Sequence, residues 1–225
     1  MTVSYASSSK GTSPEAPPKP HLRGWLHLGM APAIQAAGLV LLILAPTVLG
    51  RLGVGIYLVS ASILFGMSAL YHRGTWSERA AAVLRRFDHA NIFIFIAGTY
   101  TPLALMLLHL PQAALLLALI WGIAALGITF KLLWMTAPRW LYTGLYLAMG
   151  WVAVGWLVPF WNAGGPLVVI LIAAGGLVYS VGALIYARKL PNPSPTWFGF
   201  HEIFHACTVV AAGLHFAAIA LVVLT

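Results

Sequence analysis

The chain has 225 residues, of which 61% are hydrophobic and only 7% charged, with a formal net charge of +8 and a mean hydropathy of +0.92. A typical globular protein carries roughly 25% charged residues, and 12 Lys+Arg with 4 Asp+Glu cannot solvate a soluble fold of this size. The composition therefore excludes a soluble domain, a disordered chain and a collagen, and the single cysteine, Cys207, excludes an internal disulfide framework.

Residues 1–20 are rich in Ser, Pro, Lys and Gly with little apolar surface to bury, which reads as a disordered cytoplasmic tail. No short apolar core with a small-residue cleavage site follows Met1, so a signal peptide is not expected. Residues 21–225 read as one heptahelical membrane domain. A bilayer core takes about 20 apolar residues per helix, and seven stretches qualify, at about 28–49, 53–72, 88–109, 111–130, 139–160, 164–187 and 201–224. Arg51 and Gly53 are expected to separate the first two, and Pro111 to divide the third from the fourth. Trp161-Asn-Ala-Gly-Gly-Pro166 reads as a turn, and Pro191-Asn-Pro-Ser-Pro195 forbids a continuous helix. The fold class expected is an all-α seven-transmembrane helix bundle.

Basic residues set its orientation. With the amino terminus inside, Lys10, Lys19 and Arg23 lie in the tail, and Arg73, Arg79, Arg85 and Arg86 in the loop after the second span. Lys131 and Arg139 follow the fourth span, and Arg188 and Lys189 the sixth. Eleven of the twelve basic residues are then inside, with Arg51 alone outside. The expectation is a cytoplasmic N-terminus and an extracytoplasmic C-terminus in the cell (inner) membrane, the reverse of the G-protein-coupled receptors. The positive charge is thus a topology signal with anionic lipid headgroups as contacts; nucleic acid is not an expected partner. Small-residue pairs such as Gly176-x-x-x-Ser180 are too frequent in membrane helices to assign an oligomeric interface.

In so apolar a chain, ionisable residues at membrane depth are the functional candidates. Of the four carboxylates, Glu15 reads as part of the tail and Glu78 as part of a loop, leaving Asp88 and Glu202 at the cytoplasmic starts of the third and seventh spans. The seventh span opens with His201-Glu-Ile-Phe-His205, two histidines four apart on one helix face, able to reach one ion. His72, at the end of the second span, lies at the same depth and is the third candidate ligand; Ser68 sits one turn deeper on the same face. Asp88 can accept a hydrogen bond from a zinc-bound water or from a ligand imidazole. His21, His27 and His109 read as ordinary interfacial histidines, while His89 and His215 stay open, His215 lying about 15 Å deeper than His205. His201-Glu202-x-x-His205 also matches the His-Glu-x-x-His signature of zinc proteases, in which Glu is the general base; no second motif of an intramembrane protease accompanies it.

At these residues the chain resembles the hemolysin III family, the bacterial branch of the progestin and adipoQ receptor group. The resemblance rests on Ser68-Ala-Leu-Tyr-His72, on Asp88-His-Ala-Asn-Ile92 continuing to Ala97-Gly-Thr-Tyr-Thr-Pro102, on Arg139-Trp-Leu141 with Met149-Gly-Trp151, and on Phe198-Gly-Phe-His-Glu-Ile-Phe-His205. It runs from about 25 to 224 and leaves the tail outside. It implies a heptahelical bundle with Zn2+ near the cytoplasmic face, held by three ligands that match His72, His201 and His205, with Asp88 and Ser68 matching the family's aspartate and serine. The wider superfamily is similar to metal-dependent lipid amidases, including the alkaline ceramidases.

The function expected is zinc-dependent hydrolysis of a lipid amide or ester, with a zinc-bound water as nucleophile, Asp88 moving its proton and Ser68 or the zinc polarising the carbonyl. The partners expected are the lipid bilayer and a lipid substrate. The alternative is a non-enzymatic membrane sensor or regulator in which zinc is structural, tying the second and seventh helices, with Pro102 kinking the third. Ion or proton transport would want polar groups in both leaflets, and the outer half offers little beyond Arg51, Asn162 and His215.

Overall fold

A computed structural model describes residues 19–134 and 136–225; all but two residues of the expected tail lie outside this range. The described chain is built of helices: α1 Trp25–Leu44, α2 Val48–Arg73, α3 Glu78–Leu107, α4 Leu110–Leu133, α5 Arg139–Gly150, a 3-10 stretch Trp151–Trp156, α6 Leu157–Arg188 and α7 Phe200–Leu224. Among the described residues six helical stretches are long and apolar enough to cross a membrane, one of them the 50-residue run Arg139–Arg188. Their outward faces are bare hydrocarbon. Val48, Leu110 and Leu133 are 80%, 82% and 83% exposed, a surface suited to lipid and not to water.

That long run is not straight. Gly165 takes φ 77° and ψ 176°, a conformation open in practice only to glycine, and Pro166 behind it has no N–H to continue the ladder. The chain folds back at this point. Arg139 Nη1 donates to the Tyr186 carbonyl at 3.3 Å, and Trp151 Nε1 donates to Ser180 Oγ at 3.0 Å, so the two limbs pair in opposite directions. Ser180 Oγ also donates to the Gly176 carbonyl, so this small-residue pair is used within the chain. Before the fold-back, the 3-10 stretch is held by Tyr100 of α3, whose Oη accepts from Ala153 N at 2.8 Å and donates to the Gly150 carbonyl at 2.6 Å.

Several expected boundaries move, each for a local reason. The first break falls at Ala45-Pro46-Thr47 and not at Arg51 and Gly53, because the residue before a proline avoids the helical region. Thr47 then caps α2 by accepting from Gly50 N at 3.0 Å, and Arg51 donates to the Ala45 carbonyl at 2.9 Å. Gly53 is a packing residue inside α2: a Cβ there would stand 2.7 Å from Pro102 Cα. The third helix begins ten residues before Asp88, with Ser77 as its cap and Glu78 in its first turn. Glu78, Arg79, Arg85 and Arg86 are thus helical and not in a loop. Arg73 closes α2, and Lys131 lies in the last turn of α4, not beyond it. The helical hydrogen-bonding pattern of α3 runs on through Pro102 to Leu107.

The bundle packs α6 on α7, α2 on α3, α1 on α2 and α3 on α4, around a core that includes Tyr57, Phe65, Phe93, Leu116, Ile120, Phe160 and Ile219. α1 and α3 each touch both α2 and α7, which sets the end of α2 and the start of α7 facing one another across the same end of the bundle.

Candidate metal centre

His72 lies in the last turn of α2, and His201 and His205 in the first two turns of α7. The start of α7 is fixed by three side-chain contacts. Asn192 Oδ1 accepts from Phe200 N at 3.1 Å, Glu202 Oε2 accepts from Gly199 N at 2.8 Å, and Glu202 Oε1 pairs with Arg23 Nε. The chain before α1 is tied to the same place, since His21 N and Leu22 N donate to the Thr196 and Trp197 carbonyls at 2.9 and 3.2 Å. Gly24, at φ 82°, then lets α1 begin against His72; a Cβ there would stand 2.7 Å from the His72 Cβ.

These constraints bring the three imidazoles together. One nitrogen or the other of His72, His201 and His205 falls within a group whose ligand atoms lie within 4.8 Å of one another, and all three are inside the protein. His72 Nε2 and His201 Nε2 are 3.2 Å apart. A tetrahedral ion bound at about 2.0–2.1 Å sets its nitrogen ligands about 3.3–3.4 Å apart. The pair already stands at that spacing, so the donor set fits a metal ion. Ring centroids of 4.9, 5.1 and 4.5 Å complete a compact triangle.

Asp88 comes from the third turn of α3, buried, with Oδ2 3.8 Å from His72 Nε2. That distance is too long for a hydrogen bond, and it is measured to the nitrogen turned toward His201. Asp88 therefore addresses the centre of the cluster and does not orient His72 from behind. Ser68, one turn below His72, is buried and faces Asp88. Both line a cavity that begins at His201 and His205, runs inward past Phe95 and Ile96, and reaches His215. Along α7 that is ten residues, about 15 Å.

Glu202 has a different place. It is 1% exposed and both of its oxygens are occupied, one by the Gly199 amide and one by Arg23. It closes the first turn of α7 and pins α1 to it, which removes the free general base that the His-Glu-x-x-His reading requires. His21 and His109 are exposed, as an interfacial role expects. His27 is not: it is 3% exposed and stacks on His205 with ring centroids 3.9 Å apart and planes 3° from parallel. Neither of its nitrogens has a hydrogen-bond partner. His27 shares the inner face of α1 with Ile34 and Leu41 at seven-residue intervals, but the other faces of α1 are nearly as apolar, so the sequence does not single that face out. His215 lies at the cavity's inner reach, with Nε2 3.1 Å from the Ile172 carbonyl, so that nitrogen carries the proton. Five tyrosines wall the cavity: Tyr100 of α3 belongs to the Ala97–Pro102 segment, while Tyr142 and Tyr146 of α5 and Tyr179 and Tyr186 of α6 carry no sequence motif of their own.

The family profile described as "Haemolysin-III related" matches residues 16–216. The chain is 34% identical over 146 residues to the "Hemolysin-3 homolog" of Bacillus subtilis (strain 168), an alignment covering 64% of this chain and 68% of that protein. It is also 34% identical over 146 residues to "Hemolysin-3" of Bacillus cereus, covering 64% and 66%. It is 30% identical over 181 residues to the "Heptahelical transmembrane protein ADIPOR2" of Oryza sativa subsp. japonica, covering 73% and 79%. The alignments to the two bacterial proteins thus span about two thirds of each. With six helical stretches able to cross a bilayer and this breadth of match, the chain is a multi-pass membrane protein that belongs to the haemolysin-III related family.

Proposed function

We propose that the chain crosses the inner membrane seven times and is a zinc-dependent hydrolase of a lipid amide or ester. The seven-pass reading is supported by the fold-back at Gly165, which divides Arg139–Arg188 into two limbs, and by a rice relative whose name is heptahelical. The amino terminus faces the cytoplasm because the basic residues concentrate at the end of the bundle that holds the histidines. Labelling a cysteine placed at Thr225 from outside intact cells tests it, in a Cys207→Ala background: reaction only after lysis would overturn the orientation.

The observation that carries the hydrolase reading is the convergence of His72, His201 and His205 with Asp88 and Ser68 at the mouth of one apolar cavity. Three neutral imidazoles leave a coordination position open, as catalytic and not structural zinc sites do. When bound there, zinc supplies a Lewis acid that acidifies water to a pKa near 7. The chain's own groups do the rest. The apolar walls seat the acyl chain and exclude bulk water from the reacting carbon. Ser68 Oγ donates to the substrate carbonyl oxygen. Asp88 takes a proton from the attacking water and returns it to the leaving nitrogen or oxygen as the acyl bond breaks, so that one water is consumed for each bond cleaved. Purified protein with one zinc per chain is expected to turn over long-chain N-acyl amides, and Asp88→Ala to lose turnover while keeping its metal. Full metal content with no turnover on any lipid amide or ester would refute the hydrolase.

One observation favours a second reading. α1 and α3 lie between α2 and α7, and the histidine cluster bridges these two helices at one end. Zinc would then be a structural tie in a non-enzymatic sensor or regulator. In that case His72→Ala lowers the melting temperature, and Asp88→Ala changes nothing measured.

A further inference from the structure

The cavity below the histidines does not stop at His215. A second apolar cavity, lined by Leu103, Leu157, Phe160 and Ile172, adjoins it toward the fold-back at Gly165. Thr99, Tyr100, Gly150, Trp151, Gly176 and His215 line both, so they form a waist between the histidine chamber and an outer chamber.

The waist presents hydrocarbon. Its four side-chain donors are all spent within the protein: Thr99 Oγ1 on the Phe95 carbonyl, Tyr100 Oη on the Gly150 carbonyl, Trp151 Nε1 on Ser180 Oγ and His215 Nε2 on the Ile172 carbonyl. Its other two members are glycines. Two neighbouring glycines of α6 differ in what requires them. A Cβ on Gly175 would stand 2.3 Å from His215 Cδ2, so close packing forbids one. A Cβ on Gly176 would meet only the Trp151 ring, at 3.9 Å, an ordinary contact. Neither packing nor backbone conformation demands glycine there. A longer side chain at 176 would instead reach into the passage between the chambers, opposite an indole that Ser180 holds in place.

Depth turns this passage into a measure of length. From Asp88, Thr99 lies eleven residues along α3 and Leu103 fifteen, about 16 and about 22 Å. An extended covalent chain advances about 1.2 Å per bond, a third of the extended residue length. About 13 bonds then reach the waist, and about 18 fill both chambers. A substrate chain arriving from the bilayer is already in hydrocarbon, so burial by itself does not favour a longer one; exclusion by shape does.

We propose that Gly176, across from Trp151, sets the acyl-chain length that the site accepts, admitting chains of up to about 18 carbons by leaving the waist open. The proposal rests on the reading of the cavity as the lipid site.

The test gives the full chain, in phosphatidylcholine nanodiscs, competing N-acyl amides of about eight to twenty carbons. Retention of the corresponding fatty acids is counted by native mass spectrometry. The wild type is expected to use chains up to about 18 carbons and to discriminate against longer ones. Gly176→Leu overpacks the waist and should lower the ratio of sixteen-carbon to ten-carbon chains about 10- to 100-fold in both readouts. Should Gly176→Leu fail to fold, as judged by its melting profile, Ala173→Leu fills the outer chamber alone and should give the same shift. A folded variant with an unchanged length profile overturns the assignment. So does a wild type that already stops at about 13 carbons, since the waist would then be closed. Length-graded retention without turnover of any amide would sink the hydrolase and leave the gate standing; turnover with a flat length profile would do the reverse.

Discussion

Replacing Glu202 with alanine separates two roles that the sequence pattern allows for it. In the structure both carboxylate oxygens are engaged, Oε2 by the Gly199 amide at 2.8 Å and Oε1 by Arg23. Removing the side chain loses a charge-assisted cap of the α7 amino terminus, about 1.5–3 kcal/mol. It also strands Arg23. A fully buried orphan charge costs about 3–5 kcal/mol, but the Arg23 side chain is 20% exposed and can turn toward water, which brings this contribution down to about 1–2 kcal/mol. Together these give a loss of about 3–5 kcal/mol, or on the order of 6–20 °C in melting temperature for a chain of this size. Glu202→Gln keeps an acceptor for Gly199 N and recovers about half the loss. The assay is thermal melting in detergent, followed by intrinsic tryptophan fluorescence, with metal content measured beside it. His201 occupies the same first turn, so Glu202→Ala should also release metal more readily. An unchanged melting temperature with lost catalysis would refute this reasoning and return Glu202 to the role of general base.

Other consequences are open to measurement. His72→Ala removes one of the three imidazoles proposed to hold the metal and should weaken metal binding by about 100-fold or more, taking about 10–16 kcal/mol shared over the ligands of a structural zinc site as the scale; a competition titration with a chelator reads this directly. Acidification should release the metal with more than first-order dependence on protons, because three imidazoles must each be neutral to bind; equilibrium dialysis against pH checks it. His27→Ala removes the ring stacked on His205 and should lower both melting temperature and metal retention, while His27→Phe, which keeps a flat ring, restores most of both. Gly165→Ala forces a side chain onto φ 77° and ψ 176° and should cost about 1–3 kcal/mol, whereas Gly155→Ala, with open space around the added methyl, should be close to neutral.

Much of the architecture follows from the sequence alone, because a bilayer leaves few choices. Backbone polar groups must be satisfied within each segment, so apolar stretches of sufficient length become helices wherever they occur. The break at Leu108-His109, just ahead of a Pro111 that sits in the first turn of α4, the one at Gly165-Pro166 and the loop through Pro191 and Pro195 follow from the missing proline N–H and the conformational freedom of glycine. His72, Asp88, His201 and His205 stand out for the same reason: in an apolar chain the exceptions are visible.

Distances and partners belong to the tertiary structure. Helix ends drifted wherever a side chain and not hydropathy set them, as Thr47 does for α2 and Ser77 for the polar extension of α3 that carries Arg79, Arg85 and Arg86. Local pattern leaves Glu202 free to be either a base or a cap; only the return of residues 21–24 to the start of α7, bringing Arg23 with them, decides it. His27 and Lys131 resemble interfacial residues in composition and turn inward only through the rotation of α1 and α4 in the bundle, a variable that a largely apolar helix does not encode in its own residues. The cavity is likewise made by side chains of α1, α2, α3, α5, α6 and α7 jointly, so its tyrosine wall exists only once those helices are packed.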